Sequence, residues 1–505
     1  MFANRDLGAA DVRALLARAG FDVRVQRPSR RTLLDTFDGR LHAARLRLEL
    51  RDDDLRELIL SEGGSPPAHV AVEAEPTFAA DLPPGPFGGR LSSVIGVRAL
   101  LPIVTVTAQR SVAVRRDAQG KNEVAVVVDD QIGVDGARLD CPTWVVSLDE
   151  LEGYAKAAQR ATRLLVSFGL SECGADILGM AAVAKGVDLH GYDGSPTVPL
   201  ERGESAGAGF RRVLANLAND IDANWVGSVG DIDPEFLHDL RVAVRRTRSV
   251  LAEGKGVFPA AERVPFQSEF AWLGRATGGA RDLDVHVIGW DAAVRPLGPS
   301  ARLLLEPVRD HISGLRRIEH ANLAAVLRSD RYRDLIDGWR TWLAAGDASS
   351  ESDRPLGGVV ADRFATNQRR LVGKGRKIGP GSPPEDLHAL RKETKKLRYL
   401  LECFGGVFAS KPRRAFLGRL KSLQDNLGEH QDTEVHAAQL LAVCEDLPLS
   451  DQTAAATLLA VGRLTEHLDR RRQAARDAFA RRFADYDSKQ TRRNCDDLLR
   501  SVSGS

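Results

Sequence analysis

Residues 234–251 read PEFLHDLRVAVRRTRSVL, and residues 384–401 read PEDLHALRKETKKLRYLL. The two segments lie 150 residues apart, and eight of their eighteen aligned positions are identical. Segments of ordinary composition without a common origin would share about one or two positions. The chain therefore contains an internal duplication, and its duplicated segment has the periodicity of a helix.

A second motif recurs with the same shift. Its aligned positions are Gly278, Asp282, Asp284, Val285 and His286 in the first copy and Gly428, Asp432, Glu434, Val435 and His436 in the second. We expect the acidic residues to hold arginines of the basic helix or to cap a helix start. We expect both histidines, each of which follows an apolar valine, to be buried and hydrogen-bonded. Two motifs in the same order indicate two copies of one helical unit.

The duplicated helix has two chemically distinct faces. At 100° per residue, leucines and a valine form one stripe, and cationic side chains fall in the opposite sector. The cationic sectors comprise His238, Arg241, Arg245, Arg246 and Arg248 in the first copy and His388, Arg391, Lys392, Lys395, Lys396 and Arg398 in the second. We find no carboxylate on these sectors to relieve the repulsion, so the sequence predicts an external polyanion as ligand.

Composition limits the other possibilities. The 505 residues include 71 Lys and Arg against 69 Asp and Glu, so any basic surface must be local. Five scattered cysteines without a C-x-x-C pair make a disulfide framework or a zinc site improbable. The start of the chain is charged, and no run of about 18 apolar residues occurs. We therefore expect a cytoplasmic protein without a membrane span.

The region up to about residue 200 has a different pattern. Short apolar or alternating runs predict strands at residues 23–25, 46–50, 104–106, 124–128 and 144–146. A helix is predicted at about 149–170, followed by a Gly-, Pro- and Ser-rich linker at 186–209. From residue 210 the pattern predicts about eight helices, with breaks at 254–259, 296–299, 346–355, 373–384 and 447–450.

The duplicated motifs resemble the CHAD family, the conserved histidine α-helical domain. Each basic helix matches H-x-x-R-x-x-x-[RK]-[RK]-x-R, and each is followed by G-x-x-x-D-x-[DE]-V at 278–285 and 428–435. The resemblance covers about residues 205–500 and implies two pseudosymmetric four-helix bundles that bind inorganic polyphosphate along a basic channel. It implies that the eleven cationic-sector residues contact phosphate. Weaker candidates from neighbouring helices are Arg275, Arg413, Arg419 and Lys421.

The N-terminal region resembles a degenerate CYTH domain, the triphosphate tunnel fold. The resemblance rests on Leu33-Leu34-Asp35-Thr36-Phe37 with Arg40-Leu41 and Leu46-Arg47-Leu48, and on Gln109-Arg110 followed by residues 124–129. The family's Glu-x-Glu-x-Lys strand is replaced by residues 21–26 or is missing, so paired carboxylates for Mg²⁺ or Mn²⁺ are lacking. Acidic residues that we interpret as surface carboxylates rather than replacement ligands are Glu73, Glu75, Asp149, Glu150 and Glu152.

Together these patterns predict an α+β multidomain chain. Its predicted parts are a CYTH-like β-rich domain at 1–185, the linker at 186–209, and CHAD bundles at 210–345 and 355–500. We expect polyphosphate binding without catalytic residues, metal or cofactor, and association with polyphosphate granules. The alternatives are a metal-dependent triphosphatase whose helical half recruits the polyanion, and a nucleic-acid-associated module. Nucleic acid is less favoured because these helices offer only Tyr399 for base stacking.

A metal-dependent phosphohydrolase is a further alternative, since His238-Asp239 with Asp282, Asp284 and His286 forms an HD-like set. The second copy has Ala389 after His388, so such a site would exist in one half only.

Overall fold

The computed structural model describes residues 2–3, 7–53, 55–63, 66–138, 144–149, 153–172, 177–195, 197–345, 350–445, 447 and 451–503. The chain divides into two compact units, Met1–Asp193 and Gly194–Ser505. The first contains an antiparallel β-sheet, and the second is helical, which confirms the α+β prediction at this level. Within the described part of the chain, no helix has both the length and the apolar composition needed to cross a membrane.

The first unit is built on one ten-stranded sheet. Its strands are β1 (Phe2–Ala3), β2 (Asp22–Asp35), β3 (Leu46–Asp52), β4 (Arg56–Glu62), β5 (Ala68–Ala71), β6 (Leu101–Arg116), β7 (Asn122–Val134), β8 (Ala137–Arg138), β9 (Trp144–Asp149) and β10 (Ser171–Glu172). Their order is β10-β1-β9-β7-β6-β2-β3-β4-β5, with β8 paired to β7. All pairings are antiparallel. The helices of this unit are α1 (Ala9–Arg18), α2 (Arg40–Ala43), α3 (Pro86–Ile95), α4 (Ala155–Ser167) and α5 (Ile177–Ala184).

Every predicted apolar run of this unit lies in a strand, so those predictions are confirmed. Strand β2 is longer than the run predicted at 23–25, since it also contains residues 33–35 of the stretch that resembles the CYTH domain. A register shift between Val25 and Pro28 interrupts its pairing with β6, since proline has no N–H to donate to a ladder. The predicted helix at 149–170 is shorter, at Ala155–Ser167. Glu150 and Glu152, like the side chain of Asp149, lie outside the described residues.

Buried ion pairs join neighbouring strands of this sheet. Arg31 donates from Nε and Nη2 to the two carboxylate oxygens of Glu49, at 2.6 and 2.8 Å. Arg110 makes the same two-pronged contact with Asp129, at 2.9 and 3.1 Å, and a third with Asp53 at 3.0 Å. These arginines are therefore committed to carboxylates of their own sheet.

The second unit contains twelve helices in the part of the chain that is described, rather than the predicted eight. They are α6 (Ala206–Val229), α7 (Pro234–Glu253), α8 (Ala260–Ala276), α9 (Gly278–Val294), α10 (Pro299–Leu304), α11 (Glu306–Leu327), α12 (Asp330–Ala344), α13 (Leu356–Gly375), α14 (Pro384–Cys403), α15 (Ser410–Glu445), α16 (Asp451–Tyr486) and α17 (Lys489–Ser503). The predicted breaks at 254–259, 296–299 and 373–384 are confirmed. Those at 346–355 and 447–450 fall partly outside the described residues.

Helix starts recur with the spacing found in the sequence. The starts of α6, α7 and α8 lie 150 residues before those of α13, α14 and α15. The two repeats differ at one place. The first repeat has two helices, α8 and α9, that are separated at Thr277, whereas the second repeat has the single helix α15 over the equivalent residues. The first copy has Thr277-Gly278-Gly279 there, where the second has Leu427-Gly428-Glu429. The additional glycine and the β-branched threonine both lower helix propensity, which accounts for the break.

The aliphatic stripes of α7 and α14 are buried as predicted. The buried set is Leu237, Leu240, Val244 and Leu251 in α7 and Leu387, Leu390, Leu397 and Leu401 in α14. All belong to one large apolar cluster that also includes residues of α6, α13 and α15. A second cluster joins Trp290, Val294 and Leu305 of the first repeat to Leu440 and Leu464 of the second. The two repeats therefore share apolar cores.

Part of the predicted linker is attached to the helical unit. From Gly194 to Ser205 the described residues contain no helix or strand. Arg202 Nε nevertheless donates to Val407 O at 3.0 Å, and Leu356 N donates to Glu204 O at 2.8 Å. Gly194 O accepts a hydrogen bond from Arg246 at 3.1 Å. This stretch is held by residues of both repeats.

Candidate functional site

Helices α7 and α14 pack against each other, and their cationic faces line three neighbouring clefts. The central cleft, of about 380 Å³, is lined by His238, Arg241, Arg245, Arg391 and Lys395, among others. A first lateral cleft, of about 510 Å³, adds Arg248, Lys392 and Lys396. A second lateral cleft, of about 400 Å³, adds Arg398. Arg245 and Lys395, which occupy the same repeat position, line all three.

Arg241 is fixed at the break between α8 and α9. Its Nη1 atom donates to Gly274 O at 2.9 Å and to Thr277 Oγ1 at 2.7 Å. Burial, followed by the charge of Arg245, lowers the pKa of Arg241 to about 10. Its partners are neutral oxygens, so its positive charge is not cancelled by an ion pair.

Lys395 lies in a similarly cationic environment. Burial, followed by the guanidinium groups of Arg391 and Arg245, lowers the pKa of Lys395 to about 8, although Asp432 acts in the opposite direction. A phosphate placed beside the ammonium group would favour its charged form.

The expectation that carboxylates are missing from the cationic sectors is wrong for the second copy. Arg391 donates to Asp432 at 2.9 Å. Glu402 contacts Arg398, four residues earlier on the same helix, and also Arg246 of α7 at 3.1 Å. These contacts offset part of the repulsion between the like charges.

The two leading histidines differ in their surroundings. His238 is half-buried and lines the central cleft. His388 is exposed, and its Nδ1 atom is hydrogen-bonded to Gln431 Oε1. His388 is not among the residues that line the three clefts.

His286 packs against His436, which lines the central cleft. Their ring centroids are 4.5 Å apart, and His286 Nε2 is hydrogen-bonded to Gln439 Oε1. His286 is buried, as expected. Burial and the neighbouring His436 lower the pKa of His286 to about 4, so it is neutral near pH 7. These rings occupy equivalent positions of the two repeats.

The two acidic positions of the motif have different partners. Asp432 holds Arg391, as expected. Asp284 is fully buried and instead accepts from Arg316 at 2.7 Å and lies 2.9 Å from His320 Nε2, both on α11. The HD-like arrangement is not formed, since Asp284 is committed to α11. Among the described residues no group of three or more His, Cys, Asp or Glu is placed to hold a metal ion.

The four weaker candidates occupy different places. Arg275 is exposed, and its charge lowers the pKa of Arg248 after the larger effect of burial. Arg413 donates to Leu401 O at 3.4 Å, near the end of α14. Arg419 is exposed and lines none of the three clefts. Lys421 pairs with Asp425 at 3.0 Å, in a separate groove between α15 and α16.

Sequence reasoning missed Arg281 and Gln439, which line the central cleft. Arg281 donates to Pro234 O at 3.1 Å, next to the start of α7. It precedes Asp282 in the second motif, but its repeat equivalent is Gln431, so a search for repeated cations passes over it. Gln439 lies three residues beyond His436, on the same face of α15.

Residues 212–442 match the family model described as the CHAD domain. This chain contains a CHAD domain. Two proteins of Mycobacterium tuberculosis, from strains CDC 1551 / Oshkosh and H37Rv, are similar to it. Each is described as an uncharacterized protein and is 28% identical over 214 residues, which is 41% of this chain. The matched stretch covers 40% of the length of each of these relatives.

Two solved structures are also similar. The CHAD domain from the plant Ricinus communis is 27% identical, with a TM-score of 0.47, over 57% of this chain and 94% of that chain. PptA from Streptomyces chartreusis is 19% identical, with a TM-score of 0.42, over 55% of this chain and 99% of that chain.

Proposed function

We propose that this protein binds inorganic polyphosphate, without turning it over, in a basic groove formed by the three clefts between its two repeats. The observation that carries the proposal is the convergence of Arg241, Arg245, Arg391 and Lys395 on the central cleft. The CHAD family is linked to polyphosphate binding. Guanidinium groups bind phosphate oxygens two at a time, and lysine adds a compact charge.

A bare phosphate chain suits this groove better than nucleic acid does. Among the described residues that line the three clefts, Tyr399 is the only Phe, Tyr or Trp side chain. Proteins that bind single strands commonly stack successive bases on several aromatic rings. A ligand without bases loses nothing in a groove of this composition.

We extend the proposal to the architecture. The helical unit would consist of two pseudosymmetric bundles related across the α7–α14 contact, which the recurrence of helix starts supports. The N-terminal unit would be a degenerate CYTH-like domain without triphosphatase activity. Its arginines Arg31 and Arg110 are bound to Glu49 and Asp129 rather than available to a triphosphate. Such a protein would act in the cytoplasm and bind to polyphosphate granules.

A filter-binding experiment tests the function. It compares long polyphosphate, tripolyphosphate, single-stranded RNA and duplex DNA on the full chain. The cleft variant carries Arg245→Glu, Arg248→Glu, Lys395→Glu and Arg398→Glu. The control carries Arg328→Glu, Arg414→Glu, Lys489→Glu and Arg493→Glu, four exposed cations that line none of the clefts. Both variants change the formal charge equally.

We expect wild type to prefer long polyphosphate over either nucleic acid. The cleft variant should lose roughly 100-fold or more in affinity, because each charge-assisted hydrogen bond is worth about 1.5–3 kcal/mol. The control should stay within about threefold, since screened, distant charges contribute little. Unchanged affinity in the cleft variant would refute the proposal. Tighter binding of RNA than of long polyphosphate by the wild type would identify RNA as the ligand instead.

A further inference from the structure

The two repeats differ in how their cations are compensated. Four acidic residues of the second repeat form ion pairs with nearby cations. They are Glu393 with Lys396 at 3.6 Å, Glu402 with Arg246 at 3.1 Å, Asp425 with Lys421 at 3.0 Å, and Glu429 with Arg471 at 2.7 Å. The residues 150 positions earlier are Ala243, Ala252, Arg275 and Gly279. The first repeat therefore has no acidic residue at any of these positions.

Four cations of the first repeat, unlike Arg246, lack such partners. Arg241, Arg245, Arg248 and Arg275 form no ion pair with a carboxylate in the described part of the chain, and neither does Lys395 across the cleft. The buried Nε atom of Arg245 has no hydrogen-bond acceptor. The nearest acid of the repeat motif, Asp282, contributes only a longer-range attraction to Arg241. These five residues therefore carry positive charge that no carboxylate cancels.

The break between α8 and α9 contributes to the same difference. It gives Arg241 two neutral acceptors, Gly274 O and Thr277 Oγ1. In the continuous helix α15 the equivalent positions are Gln424 and Leu427. There the corresponding arginine, Arg391, pairs with Asp432 instead. A positioned but uncancelled guanidinium is thus specific to the first repeat.

We infer that a condensed phosphate chain is anchored on the first repeat, by Arg241, Arg245, Arg248 and Arg275 together with Lys395. Arg391, Lys396 and Arg398 of the second repeat bind it more weakly, because each must first exchange its own carboxylate for phosphate. This inference rests on the proposed polyphosphate function and specifies which part of the groove holds the ligand. A short anion such as tripolyphosphate occupies this anchor alone.

The electrostatics support this division. The anchor residues repel one another when the groove is empty, and burial together with these like charges lowers the pKa values of Arg241, Arg248 and Lys395. An arriving polyanion relieves that repulsion without breaking an existing ion pair. At Arg398, a phosphate can form an ion pair only if the existing ion pair between Arg398 and Glu402 is broken. The same residue type therefore yields less net binding in the second repeat.

Pairs of equivalent positions supply the experiment, with sodium tripolyphosphate and long polyphosphate as probes of the full chain. The first pair is Arg248→Gln and Arg398→Gln, both exposed residues. We expect the former to weaken tripolyphosphate binding about tenfold and the latter less than about threefold. The second pair is Arg275→Gln, expected to weaken binding severalfold, and Asp425→Asn, expected to leave it unchanged or tighten it.

The substitution Glu402→Gln provides an independent measurement. It frees Arg398 from its carboxylate, so we expect it to tighten binding of long polyphosphate about threefold or more. Equal losses in Arg248→Gln and Arg398→Gln, or weaker binding in Glu402→Gln, would overturn the anchor while leaving the polyphosphate function intact. Wild type that binds neither probe would overturn both.

Discussion

At the scale of single residues, His286 is expected to make the stability of the fold depend on pH. It faces His436 and Gln439 of α15, and the charge of Asp282 on its own helix opposes the fall of its pKa. Its pKa falls from 6.5 to about 4, mainly through burial and then through His436. In the unfolded chain the same imidazole binds a proton near pH 6.5.

The lowered pKa predicts an acid-sensitive fold. Because the unfolded state binds the proton more readily, His286 contributes its full stability above about pH 6.5 and loses it as the pH falls toward 4. Between about pH 7 and pH 5 the free energy of unfolding should fall by about 2 kcal/mol. Urea unfolding followed by far-ultraviolet circular dichroism measures this change.

In His286→Gln that part of the pH dependence should vanish, whereas His467→Gln on α16 should retain it. An equal loss in wild type and His286→Gln would contradict the assignment.

At the scale of elements, the starts of the two basic helices are built differently. Asp233 precedes α7 and accepts hydrogen bonds from Glu235 N at 2.9 Å and Phe236 N at 3.3 Å. The equivalent residue before α14 is Pro383, which provides no side-chain cap. Both helices then begin with proline, which suits the first turn. Only α7 therefore gains a cap for its free N–H groups.

Removal of this cap should destabilise the helical unit. Asp233→Ala is expected to lower the free energy of unfolding by about 1–2 kcal/mol, since it leaves two N–H groups at a buried helix start without their acceptor. Asp233→Asn keeps an acceptor oxygen and should cost less than half as much. Urea titrations of the three proteins measure the difference. Equal costs for Ala and Asn would mean that the side chain acts through its charge or packing instead.

The sequence patterns predicted the helices and their buried faces, but they predicted few of the contacts that side chains make between helices. The period of Leu387, Leu390, Leu397 and Leu401 reports which face is buried, because burial of one face follows from geometry within a single helix. The partners of Arg391 and Asp284 lie on other helices, and no local pattern specifies them. The contact of Arg398 with Glu402 was open to prediction, since the two are four residues apart on one helix.

The break at Thr277 shows a different limit. In the second repeat the corresponding region forms the continuous helix α15. Similarity between the two copies would therefore favour a continuous helix in the first repeat as well. The difference depends on two substitutions, Leu427 to Thr277 and Glu429 to Gly279 in repeat alignment, each with a modest effect on helix propensity. Weak local preferences of this kind are decided by tertiary contacts such as that of Arg241 with Thr277.

At the scale of the whole molecule, the charge of the chain and of its groove differ greatly. The formal net charge is only +2, yet Arg241, Arg245, Arg248 and Lys395 line the clefts of the groove without an ion-pair partner in the described part of the chain. Binding at such a place depends on displacement of counterions from the phosphate chain rather than on the charge of the protein as a whole.

Polyphosphate affinity should therefore depend steeply on salt. If about five phosphates are neutralised, affinity should fall on the order of 100-fold between about 50 and 200 mM NaCl. Arg248→Gln should reduce the slope of log affinity against log salt by about 0.7, whereas Arg328→Gln should leave it unchanged. Filter binding across a salt series gives the slopes. A slope near zero in wild type would exclude counterion release as the main source of affinity.

The contact of His286 with His436 has a consequence for how this architecture can change over time. A single-repeat ancestor that associated as a symmetric homodimer would have placed that histidine against its own copy, as an isologous interface requires. In such a dimer, arginine at the position of Arg275 would also stand at the position of Asp425. Fusion of the two copies into one gene removes that constraint, so a cation and an anion can be selected separately at what was once a single site.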